Sequence, residues 1–194
     1  MGDGKASFGV FYLSQKFLQG KNYDSNAIEY FGALGFLPFL EVSVHFTKNL
    51  APHDALGDRT FNFKIKAIEE KELFPAVAIG VHDPIHSTEN ITNRFNSLYI
   101  VTTKNISINN ILVNNIAITN GYGSNIIRAA GYQYIGYFGG VSLKAFNIFD
   151  LIAEYDAERF NGGIRIRLFD HVNILAGWGG FSYFMGGASV VFKI

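Results

Sequence analysis

The sequence of 194 residues contains no cysteine. Disulfide bonds, thiolate zinc sites, a cysteine nucleophile and a lipid-anchoring cysteine are therefore excluded within it. Charged residues are also scarce, at 16% of the chain, and they balance to a formal net charge of +0. Because a neutral chain has no electrostatic preference for polyanions, we expect no nucleic acid partner.

The sequence also lacks an apolar segment suited to a transmembrane helix. Residues 174–192 carry no charge, and their length approaches the ~20 residues that such a helix needs. They include five glycines, however, and each glycine costs roughly 1 kcal/mol in a helix interior. A Gly-Gly pair within the stretch instead predicts a turn between two strands.

Apolar and aromatic residues are in excess. Hydrophobic residues make up 48% of the chain, which contains 19 Phe, 10 Tyr and 21 Gly. Aromatic side chains favour pleated surfaces and glycine disfavours helices, so both enrichments indicate an all-β protein. The first six residues show no basic segment leading into an apolar one, so we expect a mature chain whose export signal has been removed.

Apolar and polar residues alternate with a period of two in segments of about ten residues, the length with which a tilted strand crosses a bilayer. The clearest segment places Val42 and Val44 on one face and Glu41, Ser43 and His45 on the other. The pattern predicts strands at residues 5–15, 24–34, 37–47, 59–70, 74–82, 95–104, 113–122, 133–145, 149–157, 161–168, 172–180 and 184–194.

An even number of strands suits a closed antiparallel barrel, whose closure leaves no unpaired edge in lipid. The sequence therefore predicts one domain over residues 1–194, an all-β, closed antiparallel transmembrane β-barrel of about twelve strands, within a range of about 10–14. With periplasmic termini, the long polar connections 48–58 and 83–94 are external. The periplasmic connections 35–36, 71–73, 146–148 and 169–171 are short, and 105–112 is the exception.

In a membrane barrel of this size, the polar strand faces line the lumen and the apolar faces meet lipid. This predicts seven lumen-facing charged residues: Glu41, Lys64, Lys66, Glu154, Asp156, Arg165 and Arg167. The predicted lipid-facing residues are Val42, Val44, Phe63, Ile65, Val77, Ile79, Leu151, Ala153, Ile164, Ile166, Val190 and Phe192. A soluble β-sandwich or lipocalin-like barrel is the alternative, and it would turn the apolar face inward.

The best-defined hairpin joins residues 153–156 to residues 164–168 through a polar link that contains Asn161-Gly162-Gly163. Glycine pairs are typical of turns, so the turn is predicted near residue 160. In an antiparallel ladder this register places Asp156 opposite Arg165 and Glu154 opposite Arg167.

Signals for a catalytic or metal site are weak. His82, Asp83 and His86 lie within five residues, but Pro84 separates them and no third ligand is nearby, so the segment predicts an external loop. Ser87 has no defined geometry with either histidine that would make it a nucleophile. We therefore expect no metal, no cofactor and no enzymatic activity, with an outer-membrane lipid esterase as the enzymatic alternative.

Four blocks of the sequence match motifs of a known family. Residues 37–47 are similar to an L-P-W-L-E strand, and residues 58–64 with 69–70 to a D-R-S strand entry and its acidic turn. Residues 74–83 and 96–104 resemble P-A-I-A-L-G-L-R-D and S-E-Y-L-V-A-S-K, and residues 138–141 and 151–156 resemble F-G-G-V-E and L-A-E-Y-D. These motifs are those of the YjbH family of exopolysaccharide biosynthesis proteins. His45 and His82 stand where the family is expected to have arginine.

The resemblance implies a bacterial outer-membrane barrel associated with making or exporting extracellular polysaccharide. Family chains are several times longer, so it implies one barrel portion or a short relative. Because the predicted lumen charges have both signs, we expect an accessory role in exopolysaccharide or capsule export or assembly. A small porin and a structural barrel subunit of a larger outer-membrane complex are the alternatives. The expected partners are outer-membrane lipid and lipopolysaccharide, with polysaccharide or other export subunits as further candidates.

Overall fold

The computed structural model describes residues 4–18, 25–51, 58–84, 96–108, 110, 112–127 and 135–194. These residues form β1 (Lys5–Leu13), α1 (Gln15–Leu18), β2 (Ala27–Leu37), β3 (Leu40–Asn49), β4 (Asp58–Ile68), β5 (Ala76–His82), β6 (Ser97–Ser107), β7 (Val113–Ser124), β8 (Gly136–Ala145), β9 (Phe149–Tyr155), β10 (Phe160–Leu168), β11 (Val172–Gly179) and β12 (Tyr183–Lys193). Within this part of the chain, no helix has both the length and the apolar character needed to cross a membrane.

The twelve strands form one closed antiparallel barrel, in which each strand pairs with the next and β12 pairs with β1. The predicted all-β class, strand number and closure are therefore confirmed. The uncharged stretch at residues 174–192 forms β11 and β12, and the turn between them includes Gly180 with φ 57°. This positive φ is the conformation for which glycine is suited.

The two ends of the barrel differ. The chain termini lie at one end, where Gly4 N donates to Gly35 O at 2.9 Å and Ile194 N donates to Gly4 O at 2.8 Å. We call this the terminus end. Two of its hairpins turn through adjacent residues of positive φ, Phe146 with Asn147 and Phe169 with Asp170, as in a type I′ turn. The opposite end, which carries the predicted long connections 48–58 and 83–94, is called the loop end.

The barrel has an apolar outside and a polar inside. Leu18 and Ala27 are the buried apolar residues among those described, whereas nine polar or charged residues are buried. Outward side chains such as Ile65 and Leu151 are each 50% exposed. A soluble barrel would have the reverse arrangement, because apolar side chains leave water on folding.

The β9–β10 hairpin corrects one predicted register. Its turn lies at residues 156–159 instead of near 160, so that Arg165 is opposite Asp150 and Glu154 is opposite Asn161. The predicted pairs Asp156 with Arg165 and Glu154 with Arg167 are therefore wrong.

Gly162 and Gly163, on which the predicted turn near residue 160 is based, belong to strand β10. A Cβ atom on Gly163 would lie 3.0 Å from the carbonyl oxygen of Ala176 on the neighbouring strand. The pair Gly162-Gly163 therefore marks a close approach between the backbones of β10 and β11. Glycine within a strand often permits such an approach.

Candidate functional site in the barrel lumen

Rings from six strands form a band on the inner wall, which we call the aromatic belt. It consists of Phe11, Phe31, His45, His82, Tyr99 and Phe138. Phe31 stacks between Phe11, at 5.6 Å between ring centroids, and His45, at 5.7 Å. On the other side of the belt, His82 stacks on Tyr99 at 4.8 Å, and Tyr99 meets Phe138 edge-on at 6.1 Å.

Inward glycines make room for these rings. Gly80 lies directly opposite Tyr99, and a Cβ atom on it would lie 2.3 Å from the Tyr99 ring. Gly121 has the same relationship to Phe138, also at 2.3 Å. Since a ring occupies the place of the missing side chain, it lies against the wall and leaves the centre of the lumen open.

A chain of polar side chains joins the two halves of the belt. His45 Nδ1 lies 3.0 Å from Glu29 Oε1, and His45 Nε2 lies 3.2 Å from Ser43 Oγ. Asn62 Nδ2 donates to Ser43 Oγ at 3.2 Å, and Asn62 Oδ1 lies 3.0 Å from His82 Nδ1. The two histidines that depart from the expected family arginines are therefore connected through one network.

Charged side chains from β9 and β10 form a second feature of the lumen. Asp150 is 2% exposed, and its carboxylate accepts hydrogen bonds from Arg165 Nε at 2.8 Å and from Arg167 Nη2. One carboxylate thus compensates two guanidinium groups, which leaves a positive charge in excess. On β3 and β4, Glu41 and Lys64 form an ion pair at 2.9 Å.

The seven charged residues predicted to face the lumen lie along cavities of the inner wall. Glu41, Arg165 and Arg167 line one cavity, Lys64 and Lys66 line a second together with Glu41, and Glu154 and Asp156 line a third. Asp156 bonds to its own turn, because its Oδ1 accepts from the backbone nitrogens of Glu158 and Arg159 at 3.1 and 2.8 Å.

The register separates the charges along the barrel axis. The basic residues Lys64, Lys66, Arg165 and Arg167 lie in the half toward the terminus end, as do Lys5 and Lys144. The acidic residues Glu29, Glu154 and Asp156 lie in the half toward the loop end, whereas Glu41 and Asp150 lie among the basic residues and pair with them. Basic side chains therefore exceed acidic ones in the half toward the terminus end.

Two cavities meet at the polar network. One of about 450 Å³ extends toward the loop end and is lined by Ser43, His45, Asn62, His82 and Tyr99, together with Leu13, Phe17 and Leu18. The other, of about 640 Å³, is lined by Ser43, His45, Phe31 and Lys5 and, on the facing wall, by Arg165 and Arg167. Ser43 and His45 are thus accessible from both.

We call the cavity of about 450 Å³ the upper cavity and the cavity of about 640 Å³ the lower cavity. The helix α1 lies over the upper cavity at the loop end. Phe17 fills the space above Gly179 of β11, and its ring lies 5.0 Å from the guanidinium of Arg159. Arg159 Nη2 also donates to the Phe17 carbonyl oxygen at 3.1 Å, and Leu18 is 2% exposed. These contacts hold α1 inside the loop end, where it covers part of the opening, and we call it the α1 roof.

Among the described residues, no group of three or more His, Cys, Asp or Glu side chains is arranged to hold a metal ion. His82 lies inside the barrel at the end of β5, and Asp83 begins the connection that follows. His86 and Ser87, considered above as candidates, lie outside the described residues.

Sequence reasoning missed the network around Ser43. A signal was present, because Ser43 and His45 are two apart on one strand and therefore share a face. Glu29 lies on the preceding strand, opposite Thr47, and so lies diagonally across from His45. Without the β2–β3 register, this juxtaposition could not be read from spacing alone.

Comparison with known proteins matches the part of the chain that contains the motif blocks at residues 37–47, 58–70 and 74–104. The family model described as exopolysaccharide biosynthesis protein YbjH (YjbH) matches residues 22–134, which is more than half of the chain. A search of curated proteins gave no match. The matched span runs from before β2 to the residues preceding β8, and it includes the whole network from Glu29 to His82. The chain therefore belongs to the YjbH family of exopolysaccharide biosynthesis proteins.

Proposed function

We propose that this protein is a bacterial outer-membrane barrel with an accessory role in the export or assembly of an exopolysaccharide or capsule. The observation that carries the membrane location is the inside-out distribution of side chains. Ile65, Ile79 and Leu151, which lie within their strands, are 50%, 47% and 50% exposed on the outer face. A continuous apolar surface of this kind is stable in lipid and would aggregate in water.

Aromatic residues at the loop end support the same location. Trp178 contacts Phe184 at 5.9 Å, and Tyr155 contacts Phe160 at 4.9 Å, both on the outer surface. Tyrosine and tryptophan concentrate at the membrane–water interface, where the ring meets lipid and the polar atom meets water. Outer-membrane lipid and lipopolysaccharide are accordingly the partners proposed for this surface.

The accessory role is supported by family membership together with the shape of the lumen. About twelve strands enclose a lumen between the filled interior of an eight-stranded barrel and the water channel of a porin. Here the α1 roof and the ion pairs narrow the lumen further. Polysaccharide and other export subunits are the partners proposed for such a barrel.

A small porin is the competing function, and the two cavities of about 450 and 640 Å³ are the observation in its favour. Deleting the gene and measuring surface polysaccharide and small-solute uptake separates the two. The accessory role predicts less or altered polysaccharide with nearly unchanged uptake. Slower solute uptake with normal polysaccharide would favour the porin.

A further inference from the structure

We propose that Ser43, His45 and Glu29 form a hydrolytic triad in the lumen, which cleaves short O-acyl esters from an acidic saccharide. A nucleophile hydrogen-bonded to a base, with the base oriented by a third group, is the geometry of serine hydrolases on many unrelated folds. Here Ser43 Oγ is 3.2 Å from His45 Nε2, and His45 Nδ1 is 3.0 Å from Glu29 Oε1.

The hydrogen bonds in the network run in one direction. The carboxylate of Glu29 can only accept, so a neutral His45 donates through Nδ1 and its Nε2 accepts the hydroxyl proton of Ser43. On the other side, the Asn62 amide donates to Ser43 Oγ, and its carbonyl oxygen faces Nδ1 of His82. Glu29 therefore favours the tautomer of His45 that carries its proton on Nδ1, and in this tautomer Nε2 can act as a general base toward Ser43.

The triad is open to substrate. The side chains of His45 and Glu29 are 27% and 23% exposed, so the group is neither sealed in the wall nor on the outer surface. Ser43 and His45 line both cavities, which gives the ester space on one side of the hydroxyl and the rest of the saccharide space on the other. A hydrogen-bond network with a purely structural role would not need to be accessible from both cavities.

Asn62 is placed to stabilise the transition state. Its amide nitrogen lies 3.2 Å from Ser43 Oγ, from where it can donate to the oxyanion that forms when the hydroxyl attacks a carbonyl. Side-chain amides serve this purpose in other hydrolases, and the contact of Asn62 with His82 fixes its orientation.

The two cavities indicate the substrate class. Leu13, Phe17 and Leu18 make the upper cavity apolar near the α1 roof, which suits a short acyl group. In the lower cavity, Arg165 and Arg167 share one carboxylate and have spare positive charge for a sugar carboxylate. The saccharide half of this inference rests on the proposed function, whereas ester cleavage itself does not.

The reaction has two balanced steps. Ser43 Oγ attacks the acyl carbonyl carbon while its proton passes to His45 Nε2, and the bond to the sugar oxygen breaks as that oxygen takes the proton. Water then attacks the acyl-serine, gives its proton to His45, and releases the carboxylic acid as Ser43 recovers its hydroxyl proton. No oxidant, metal or other co-reactant is required.

The test uses the purified full chain in detergent, with p-nitrophenyl acetate and O-acetylated oligogalacturonate as substrates. We expect acetate release from both, and covalent labelling of Ser43 by a fluorophosphonate, located by peptide mass spectrometry. Ser43→Ala should lower the rate at least about 10³-fold, and Glu29→Gln about 10²–10⁴-fold. Ser142→Ala, which removes an inward serine on β8 away from the network, is the matched control and should leave the rate unchanged.

Arg165→Gln separates the saccharide site from the triad. It should raise KM for the acetylated uronate about tenfold or more, and kcat/KM for the uronate should fall by at least that factor relative to kcat/KM for p-nitrophenyl acetate. Equal rates for the wild-type protein and Ser43→Ala, or the absence of a Ser43 adduct, overturn the triad. Cleavage of p-nitrophenyl acetate alone supports the triad and overturns the saccharide assignment.

The proposed function can fail independently of this inference. If gene deletion leaves surface polysaccharide unchanged while Ser43 hydrolyses esters, the accessory role is wrong and the triad stands. If the triad is correct and acts on the polysaccharide, cells with Ser43→Ala should export a polymer of increased acyl content. Unchanged acyl content in those cells overturns the saccharide assignment.

Discussion

Asp150 lies directly opposite Arg165 across the β9–β10 ladder, and its carboxylate accepts the Arg165 Nε–H at 2.8 Å. The same carboxylate accepts from Arg167, two residues further along the strand. Because Asp150 is 2% exposed, its charge depends on these guanidinium groups for compensation. Either arginine can supply it, so the two contributions to stability are coupled.

The first prediction concerns this coupling. Arg165→Gln alone should lower the free energy of unfolding by no more than about 1 kcal/mol, since Arg167 still compensates Asp150. Removing both arginines should cost about 3–5 kcal/mol, because it leaves a buried carboxylate without compensation. Adding Asp150→Asn to the double variant should recover much of the loss. Urea unfolding in detergent measures the wild-type protein, Arg165→Gln, Arg167→Gln, the double variant and the triple variant, and simple additivity of the two single changes would contradict the coupling.

The second prediction concerns the fit between glycine and ring. Gly80→Ala would place a methyl group 2.3 Å from the Tyr99 ring, so the ring must leave its stack on His82. We expect a loss of about 1–3 kcal/mol, as for other overpacked sites. In a Tyr99→Leu background the same change should cost much less.

Gly32→Ala is the matched control for Gly80→Ala. Gly32 lies on β2, and a Cβ atom there would lie 3.3 Å from the movable ring of Phe8. We expect a change within about 0.5 kcal/mol. Equal losses at Gly80 and Gly32 would show that strand propensity, and not the ring, accounts for the effect.

The strands and their inward and outward faces could be predicted from sequence because alternation with period two records both at once. The partner of Asp150 could not, because register depends on where a turn begins. The Gly162-Gly163 pair is typical of a turn but permits the close contact with Ala176. The turn is made instead at Asp156, whose carboxylate accepts from the backbone N–H groups of Glu158 and Arg159. The Ser43 network was missed for a related reason, since it requires contacts between neighbouring strands.

The third prediction tests the membrane orientation with neighbouring residues on opposite faces. Leu151 points outward and is 50% exposed, whereas Ile152 lines a cavity of about 270 Å³ with Glu154 and Asp156. In lipid, Leu151→Arg should cost about 2–4 kcal/mol near the bilayer midplane. Ile152→Arg should cost less, because its guanidinium reaches these carboxylates. Folding yield in lipid vesicles measures both, and a larger loss for Ile152→Arg would reverse the assignment of faces.

The fourth prediction concerns pH and a turn at the terminus end. Hydrogen bonds from the side chain and backbone N–H of Asn105 to Glu70, with the nearby charge of Lys104, hold the pKa of Glu70 below its ordinary value of 4.5. A carboxyl with a depressed pKa stabilises the fold above its unfolded pKa, and this stability is lost as the pH falls through the folded value.

Glu70→Gln should therefore reduce the thermal stability at neutral pH and make little difference once the pH is below the folded pKa of Glu70. Glu72→Gln is the matched control, because Glu72 is exposed in the same turn and bonds to Lys104 through its backbone carbonyl. Melting curves from neutral pH to below pH 4.5 measure the difference. A Glu70→Gln effect that is constant over this range would contradict the assignment to the carboxylate charge.

The last prediction concerns the α1 roof. In a planar bilayer the wild-type protein should show little steady conductance, because α1 covers part of the loop end and ion pairs narrow the lumen below it. Phe17→Ser removes the ring that fills the space above Gly179, and Arg159→Ala removes both the cation–π contact and the hydrogen bond to the Phe17 carbonyl. Each change should increase the frequency of open-channel events, and their combination should add little, since both release the same segment.

Phe181→Ser, at an exposed turn of the same end, is the control and should leave conductance unchanged. Large, stable currents from the wild-type protein would show that α1 does not close the lumen and would favour the porin.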